Sequence, residues 1–137
     1  MIKRAIDLAK LVRPKKVQII YGARRVGKTT LLKDYLSKTQ FKHRLESGDN
    51  IRIQHLFESR DFKAIQEYVE GYKLIAIDEA QQIKNIGMGL KILVDNNPTL
   101  DIVVTGSSSF DLAQSIGEPL SGRKQTILLF VKRYPEP

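Results

Sequence analysis

The amino-acid sequence predicts an α/β domain built on a mainly parallel sheet, and three observations predict it. Residues 73–79 and 101–105 are apolar runs without polar alternation, as in strands buried on both faces. Segments with apolar residues at helical spacing stand between such runs, so strands and helices alternate along the chain. A glycine-containing loop, Gly22-Ala-Arg-Arg-Val-Gly-Lys-Thr-Thr30, joins a β-rich run to a helical one.

Taken in order, Ile2, Ala5, Ile6, Ala9 and Val12 recur at helical spacing and predict a short helix ending before Pro14. Residues 16–21 form the first strand. The helix after the loop starts near Lys28 and carries Leu31, Leu32, Tyr35 and Leu36 on one face. Residues 43–49 read as a weak second strand with a polar tip. Residues 51–69 are helical, with an apolar face of Phe57, Ile65, Tyr68 and Val69, a break near 59–61, and Gly71 as terminator. The apolar strand at 73–79 ends in Asp78 and Glu79. Gln81 or Gln82 either helps to order water or, the favoured expectation, stands at a solvated helix start, and 83–89 is expected as a loop or broken helix. Leu90, Ile92, Leu93 and Val94 mark a helix closing at Asp95-Asn-Asn-Pro98. After the strand at 101–105 come a turn (106–109), a short helix (110–116), a loop (117–122) and a last strand (126–131).

The chain has 137 residues, which suits one domain, and 42% hydrophobic with 28% charged residues is an ordinary globular balance. With no cysteine, disulfides and thiolate metal sites are excluded; the usage fits a reducing cytoplasm. His43 and His55 are too few for a histidine metal cluster. No apolar run approaches the ~18 residues of a membrane span, so no membrane partner is expected. The net charge of +8 is uneven: residues 1–44 hold 13 Lys/Arg and 2 Asp, and residues 45–137 hold 10 Lys/Arg and 13 Asp/Glu. The basic half makes a polyanion, nucleic acid included, a candidate partner. Aromatic residues are not interleaved with the basic ones, so base stacking is not indicated.

The loop fits G-x-x-x-x-G-K-[ST], and the chemistry needs those residues at that spacing. Glycines let the backbone curl so that N–H groups face phosphate oxygens. Lys28 sets a compact charge against the β- and γ-phosphates, Thr29 offers a hydroxyl to Mg²⁺, and the following helix adds its positive end. Gly22, Ala23, Arg24, Arg25, Val26, Gly27, Lys28, Thr29 and Thr30 are thus the candidate nucleotide-binding residues. Beside such a loop, an apolar strand ending in two acids has a specific meaning. Asp78 would hold Mg²⁺ with Thr29, and Glu79 would take a proton from the attacking water. Thr105 and Ser107, after the next strand, either face the γ-phosphate and its water or cap the next helix. Arg123 either stabilises transition-state charge, within the chain or across to a neighbouring subunit, or is a surface arginine paired with Glu118. In parallel α/β sheets ligands bind at strand carboxyl ends, where the loop, Asp78-Glu79 and Thr105-Gly106-Ser107 all fall.

Gly22-Ala-Arg-Arg-Val-Gly-Lys-Thr-Thr-Leu-Leu32, Ile77-Asp-Glu-Ala-Gln81, Val104-Thr-Gly-Ser-Ser-Ser109 and Leu120-Ser-Gly-Arg123 occur in that order. Together they resemble the prokaryotic AAA-type P-loop ATPases, akin to archaeal-type ATPases, over roughly residues 10–130. The resemblance implies a P-loop NTPase three-layer sandwich, a five-stranded parallel core with the loop strand central, and ATP with Mg²⁺ as cofactors. It carries Lys28 and Thr29 over as phosphate and Mg²⁺ contacts, Asp78 and Glu79 as Mg²⁺ and catalytic carboxylates, and Thr105 as the residue after the sensing strand; it matches Arg123 without assigning a role. Family members continue into a helical lid and a C-terminal region. Residues 1–137 are therefore expected to form the ATPase core domain with both absent.

Three functions follow as expectations. The first is a Mg²⁺-dependent ATP-binding domain that hydrolyses ATP, cytoplasmic and able to form homo-oligomers. The second is a nucleotide- or nucleic-acid-binding regulatory module without turnover. The third is a small-molecule kinase, against which the adjacent Asp78 and Glu79 argue, since they suit water as acceptor.

Overall fold

The computed structural model describes residues 8–12, 14–22, 27–106, 122 and 124–128, with Leu11 and 124–128 as backbone alone. Five strands, β1 (Val17–Tyr21), β2 (His43–Ser47), β3 (Leu74–Asp78), β4 (Asp101–Gly106) and β5 (Lys124–Leu128), form one sheet in the order β2-β3-β4-β1-β5. All four ladders are parallel. The loop strand β1 lies inside the sheet between β4 and β5, one place from the middle, which β4 occupies.

Helices α1 (Leu8–Leu11), α2 (Lys28–Lys38), α3 (Ile51–Glu58), α4 (Phe62–Val69) and α5 (Ile86–Asn96) supply the outer layers. Alternation along each strand sorts the core into two. Val17, Ile19 and Tyr21 of β1, Ile75 and Ile77 of β3, and Ile102 and Val104 of β4 pack with Ile53, Phe57, Ile65, Leu90 and Leu93 of α3, α4 and α5. Ile20, Leu74, Ala76 and Val103 face the other way, against Leu8 of α1 and Leu31, Leu32 and Leu36 of α2. The result is a three-layer sandwich. Because β1, β3 and β4 are covered on both sides, their sequences read as unbroken apolar runs. Strand β2 sits at the edge, half-exposed throughout, and therefore reads weakly.

The break between α3 and α4 has a local cause. The side chain of Asp61 caps α4 by accepting the Ala64 N–H at 3.1 Å, after Arg60 turns at φ 54. Asn50 caps α3 the same way, accepting the Arg52 N–H at 2.9 Å. Three expectations need correction. Residues 83–89 are not a loop or broken helix throughout, because α5 begins at Ile86 and contains both Gly87 and Gly89. Gly89 is a packing residue: a Cβ there would lie 2.2 Å from Cδ1 of buried Phe57, so only glycine lets α5 approach α3 this closely. The last strand runs over 124–128; residues 129–131 lie outside the described residues, as do the turn at 107–109, the helix at 110–116 and most of the loop at 117–122. At the N-terminus, Leu8 is the buried contact and Ala9 is exposed, while Ile2, Ala5 and Ile6 lie outside the described residues.

Asp101 opens β4 in an unfavourable setting. It is 5% exposed, and its Oδ1 lacks a hydrogen-bond partner among the described residues. Burial raises its carboxyl pKa, and burial together with the nearby Asp101 charge raises the Tyr35 hydroxyl. A carboxyl raised in the folded state gives its full stability below the unfolded-state value, and that stability is lost as pH climbs through the raised value. Asp101→Asn is accordingly expected to stabilise the domain at pH 7, with the advantage shrinking as pH falls into the carboxylate range. Urea unfolding of both chains at pH 7 and pH 4 checks this; equal midpoints at pH 7 would mean that the charge is compensated.

Candidate functional site

The carboxyl ends of β1, β3 and β4 form one edge, as the register Ile77↔Val104 and Tyr21↔Gly106 requires. Chain segments leaving that edge carry the polar residues singled out above. Gly22 follows β1, and its N–H reaches the Gly106 carbonyl at 3.3 Å. Gly27 caps α2 in the left-handed region (φ 86, ψ 26), which glycine adopts without a Cβ penalty, and its carbonyl accepts the Leu31 N–H at 2.8 Å. Among the described residues no side chain caps α2, so its first-turn N–H groups and its positive dipole end can serve an anion.

Lys28 opens α2 yet is only 2% exposed. Its Nζ lies 3.8 Å from Oε1 of Glu79, an ion pair across the site. One turn face away, the Thr29 hydroxyl donates to Oδ2 of Asp78 at 2.9 Å. The other Asp78 oxygen, Oδ1, accepts the Thr105 hydroxyl from β4. Thr105, fully buried, in turn accepts the Glu79 N–H at 3.1 Å. A single chain of hydrogen bonds thus links α2, β3 and β4 through Asp78 and Thr105.

Glu79 has a left-handed backbone (φ 55, ψ 48), which costs a non-glycine residue about 1–3 kcal/mol and persists only where neighbours fix it. The Thr105 hydroxyl is one such neighbour. Gly48, just past β2, is another. Its N–H donates to the Asp78 carbonyl at 2.7 Å, its own carbonyl accepts Gln54 Nε2 at 2.8 Å, and a Cβ on it would fall 2.0 Å from the Glu79 carbonyl oxygen. A 3-10 turn over Ala80–Gln82 then folds Gln81 back, so that its Nε2 donates to Glu79 Oε2 at 2.6 Å.

The structure thus brings together Lys28, Thr29, Asp78, Glu79 and Thr105, with Gly22 and Gly27 bounding the loop. Thr30 is exposed on α2. Ala23, Arg24, Arg25, Val26, Ser107 and Arg123 lie outside the described residues. Gln81 is no solvated helix-start residue; it is half-buried against Glu79, and only Gln82 is exposed. Gly48 gave no sequence signal beyond a polar loop, since its role is contact with a residue 31 positions away.

The donor set fits Mg²⁺, a hard cation that takes one or two carboxylates and keeps other positions for water and phosphate. Thr29 Oγ1 and Asp78 Oδ2 are hard oxygens 2.9 Å apart, and neighbouring ligands of an octahedral ion at ~2.1 Å are separated by roughly 3 Å. Among the described residues no group of three or more His, Cys, Asp or Glu forms a protein-only metal cage, and no helix is long and apolar enough to cross a membrane.

A family model described as an AAA domain matches residues 14–136. An uncharacterized protein of Methanocaldococcus jannaschii is 34% identical over 128 residues, a match covering 90% of this chain and 28% of that protein. Among solved structures, domain III of the Thermotoga maritima replication initiation protein DnaA is similar at TM-score 0.57 and 17% identity, covering 82% of this chain and 54% of that one. A replication initiator DnaA bound to AMPPCP and single-stranded DNA is similar at TM-score 0.59 and 18% identity, covering 88% of this chain and 41% of the other. The chain therefore spans about a quarter of the curated relative's length and about half or less of these solved chains. At such identities the structures speak for a shared fold.

Proposed function

The chain belongs to the AAA-domain family of nucleotide-binding P-loop domains, and from that premise we propose that it binds ATP with Mg²⁺ and hydrolyses it to ADP and phosphate. The observation that carries the reading is the convergence of Lys28, Thr29, Asp78 and Glu79 at one end of β1 and β3. The loop from Gly22 to Thr30 wraps the phosphates with backbone N–H groups, and Lys28 leaves Glu79 for the β- and γ-phosphates. Thr29 and Asp78 hold Mg²⁺, which neutralises phosphate charge when bound. Glu79 orients a water and takes its proton as the water oxygen bonds to the γ-phosphorus. The bond from that phosphorus to the bridging oxygen breaks, and ADP leaves with the electron pair. Thr105 holds Asp78 and the Glu79 backbone in place, and Arg123 is a candidate for charge stabilisation from this chain or a neighbouring copy. A cytoplasmic setting accords with the absence of cysteine.

The test is calorimetric titration with ATP, with and without Mg²⁺, on the parent and on Lys28→Ala. Binding should require Mg²⁺ and weaken about 10- to 100-fold in the variant, the worth of a charge-assisted contact. Equal affinity in a variant whose melting confirms a folded chain would place the nucleotide elsewhere or nowhere. The basic stretch 1–44 favours one other reading, a nucleotide- or nucleic-acid-binding module without turnover. Steeply salt-dependent DNA binding that survives Lys28→Ala, without phosphate release, would select it.

A further inference from the structure

The two oxygens of the Glu79 carboxylate are held by different partners. Oε1 faces Lys28 Nζ at 3.8 Å, an ion pair too long for a hydrogen bond. Oε2 accepts Gln81 Nε2 at 2.6 Å, a short charge-assisted hydrogen bond. These partners differ in what nucleotide does to them. Phosphates compete for Lys28, whereas Gln81 carries no charge for phosphate to attract. The backbone around Glu79 is already pinned, since its N–H goes to Thr105, its carbonyl accepts the Gln82 N–H at 3.1 Å, and Gly48 packs on that carbonyl. What remains free is the long side chain, whose rotamers must be restricted if the carboxylate is to meet a water at one place.

We propose that Gln81 is the positioning residue for Glu79, keeping Oε2 fixed when nucleotide draws Lys28 away from Oε1. This rests on the ATPase reading above. The 3-10 turn makes the contact possible, because it brings residue 81 back over residue 79 while Ala80 is buried and Gln82 points to solvent. Among the described residues Lys28 and Gln81 hold the carboxylate from two sides. Once nucleotide takes Lys28, the Gln81 side still holds and Oε1 is left for the water.

Two measurements test this. In steady-state hydrolysis, Gln81→Ala should lower kcat about 10- to 100-fold, the range expected from misplacing a base by about 1 Å. The KM for ATP and the melting temperature should stay at parent values, a split that a merely structural residue would not give. The second measurement needs no turnover. The Gln81 side-chain amide signals, identified by their loss in Gln81→Ala, are followed in ¹H–¹⁵N spectra with and without AMPPCP and Mg²⁺. Glu79→Ala should move these signals in both states, because the contact survives nucleotide. A shift confined to the nucleotide-free state, or kcat within twofold of parent in Gln81→Ala, overturns the proposal. A parent that binds AMPPCP but releases no phosphate from ATP counts against hydrolysis alone, and the spectra still decide on Gln81. AMPPCP that moves no signal at all counts against the nucleotide reading and takes the positioning role with it.

Discussion

Glutamine in place of Glu79 is expected to stop ATP turnover while leaving ATP bound. The side chain keeps its length and its place next to Gln81 and loses its charge and with it the ability to take a proton. General-base contributions of this kind are typically ~10²- to 10⁴-fold, so phosphate release under saturating ATP and Mg²⁺ should fall by at least ~100-fold. Binding has reason to improve slightly. In the parent, Lys28 is buried at 2% exposure beside the Glu79 carboxylate, and any phosphate must draw it from that charge. Without the carboxylate the competition ends, so calorimetric affinity should equal or exceed that of the parent. The two readouts move independently, which separates a chemical role from damage to the site. Hydrolysis by Glu79→Gln at the parent rate would remove Glu79 from the proposed chemistry. Binding lost along with turnover would make Glu79 an organiser of the loop.

Gly48→Ala should damage the same site from outside it. A methyl group at 48 would sit 2.0 Å from the Glu79 carbonyl oxygen and 2.9 Å from its carbonyl carbon, and both are backbone atoms with no rotamer to swing aside. Either the end of β2 pulls off β3, breaking the 2.7 Å bond from Gly48 N–H to Asp78 O, or the turn at Asp78 and Glu79 moves. Overpacking of this kind costs about 3 kcal/mol, which in a domain of this size lowers Tm by roughly 10 °C. Turnover, measured well below the new Tm, should drop as well, because the shifted turn carries both carboxylates. A Gly48→Ala chain melting with the parent would mean that the two strand ends separate freely and that Gly48 does not hold Glu79.

The layers and the site edge were legible because they depend on local pattern. Strands covered on both faces, such as β1 and β4, must be apolar throughout, and the loop motif dictates its own flanks. Lys28, Thr29, Asp78, Glu79 and Thr105 could be placed on one edge because a parallel sheet puts every strand's carboxyl end on the same side. What was not legible depends on contacts between distant segments. Residues 83–89 read as a loop or broken helix, but Gly89 is inside α5 to make room for Phe57 of α3. Gln81 read as a water-ordering residue or, in preference, a solvated helix start, and not as a partner of Glu79, because the 3-10 turn that folds it back leaves no periodic signature. The weak reading of β2 had a physical basis, since an edge strand half-open to solvent needs no apolar run.

On the ATPase reading, the left-handed backbone at Glu79 sets backbone ease against chemistry. Glycine would relax that conformation at no Cβ penalty, but it would strip buried Lys28 of its carboxylate partner. A library of variants ranked by melting temperature alone therefore weighs that strain against the ion pair and is blind to turnover. On the same reading, an effort to stabilise this domain has to leave residue 79 strained.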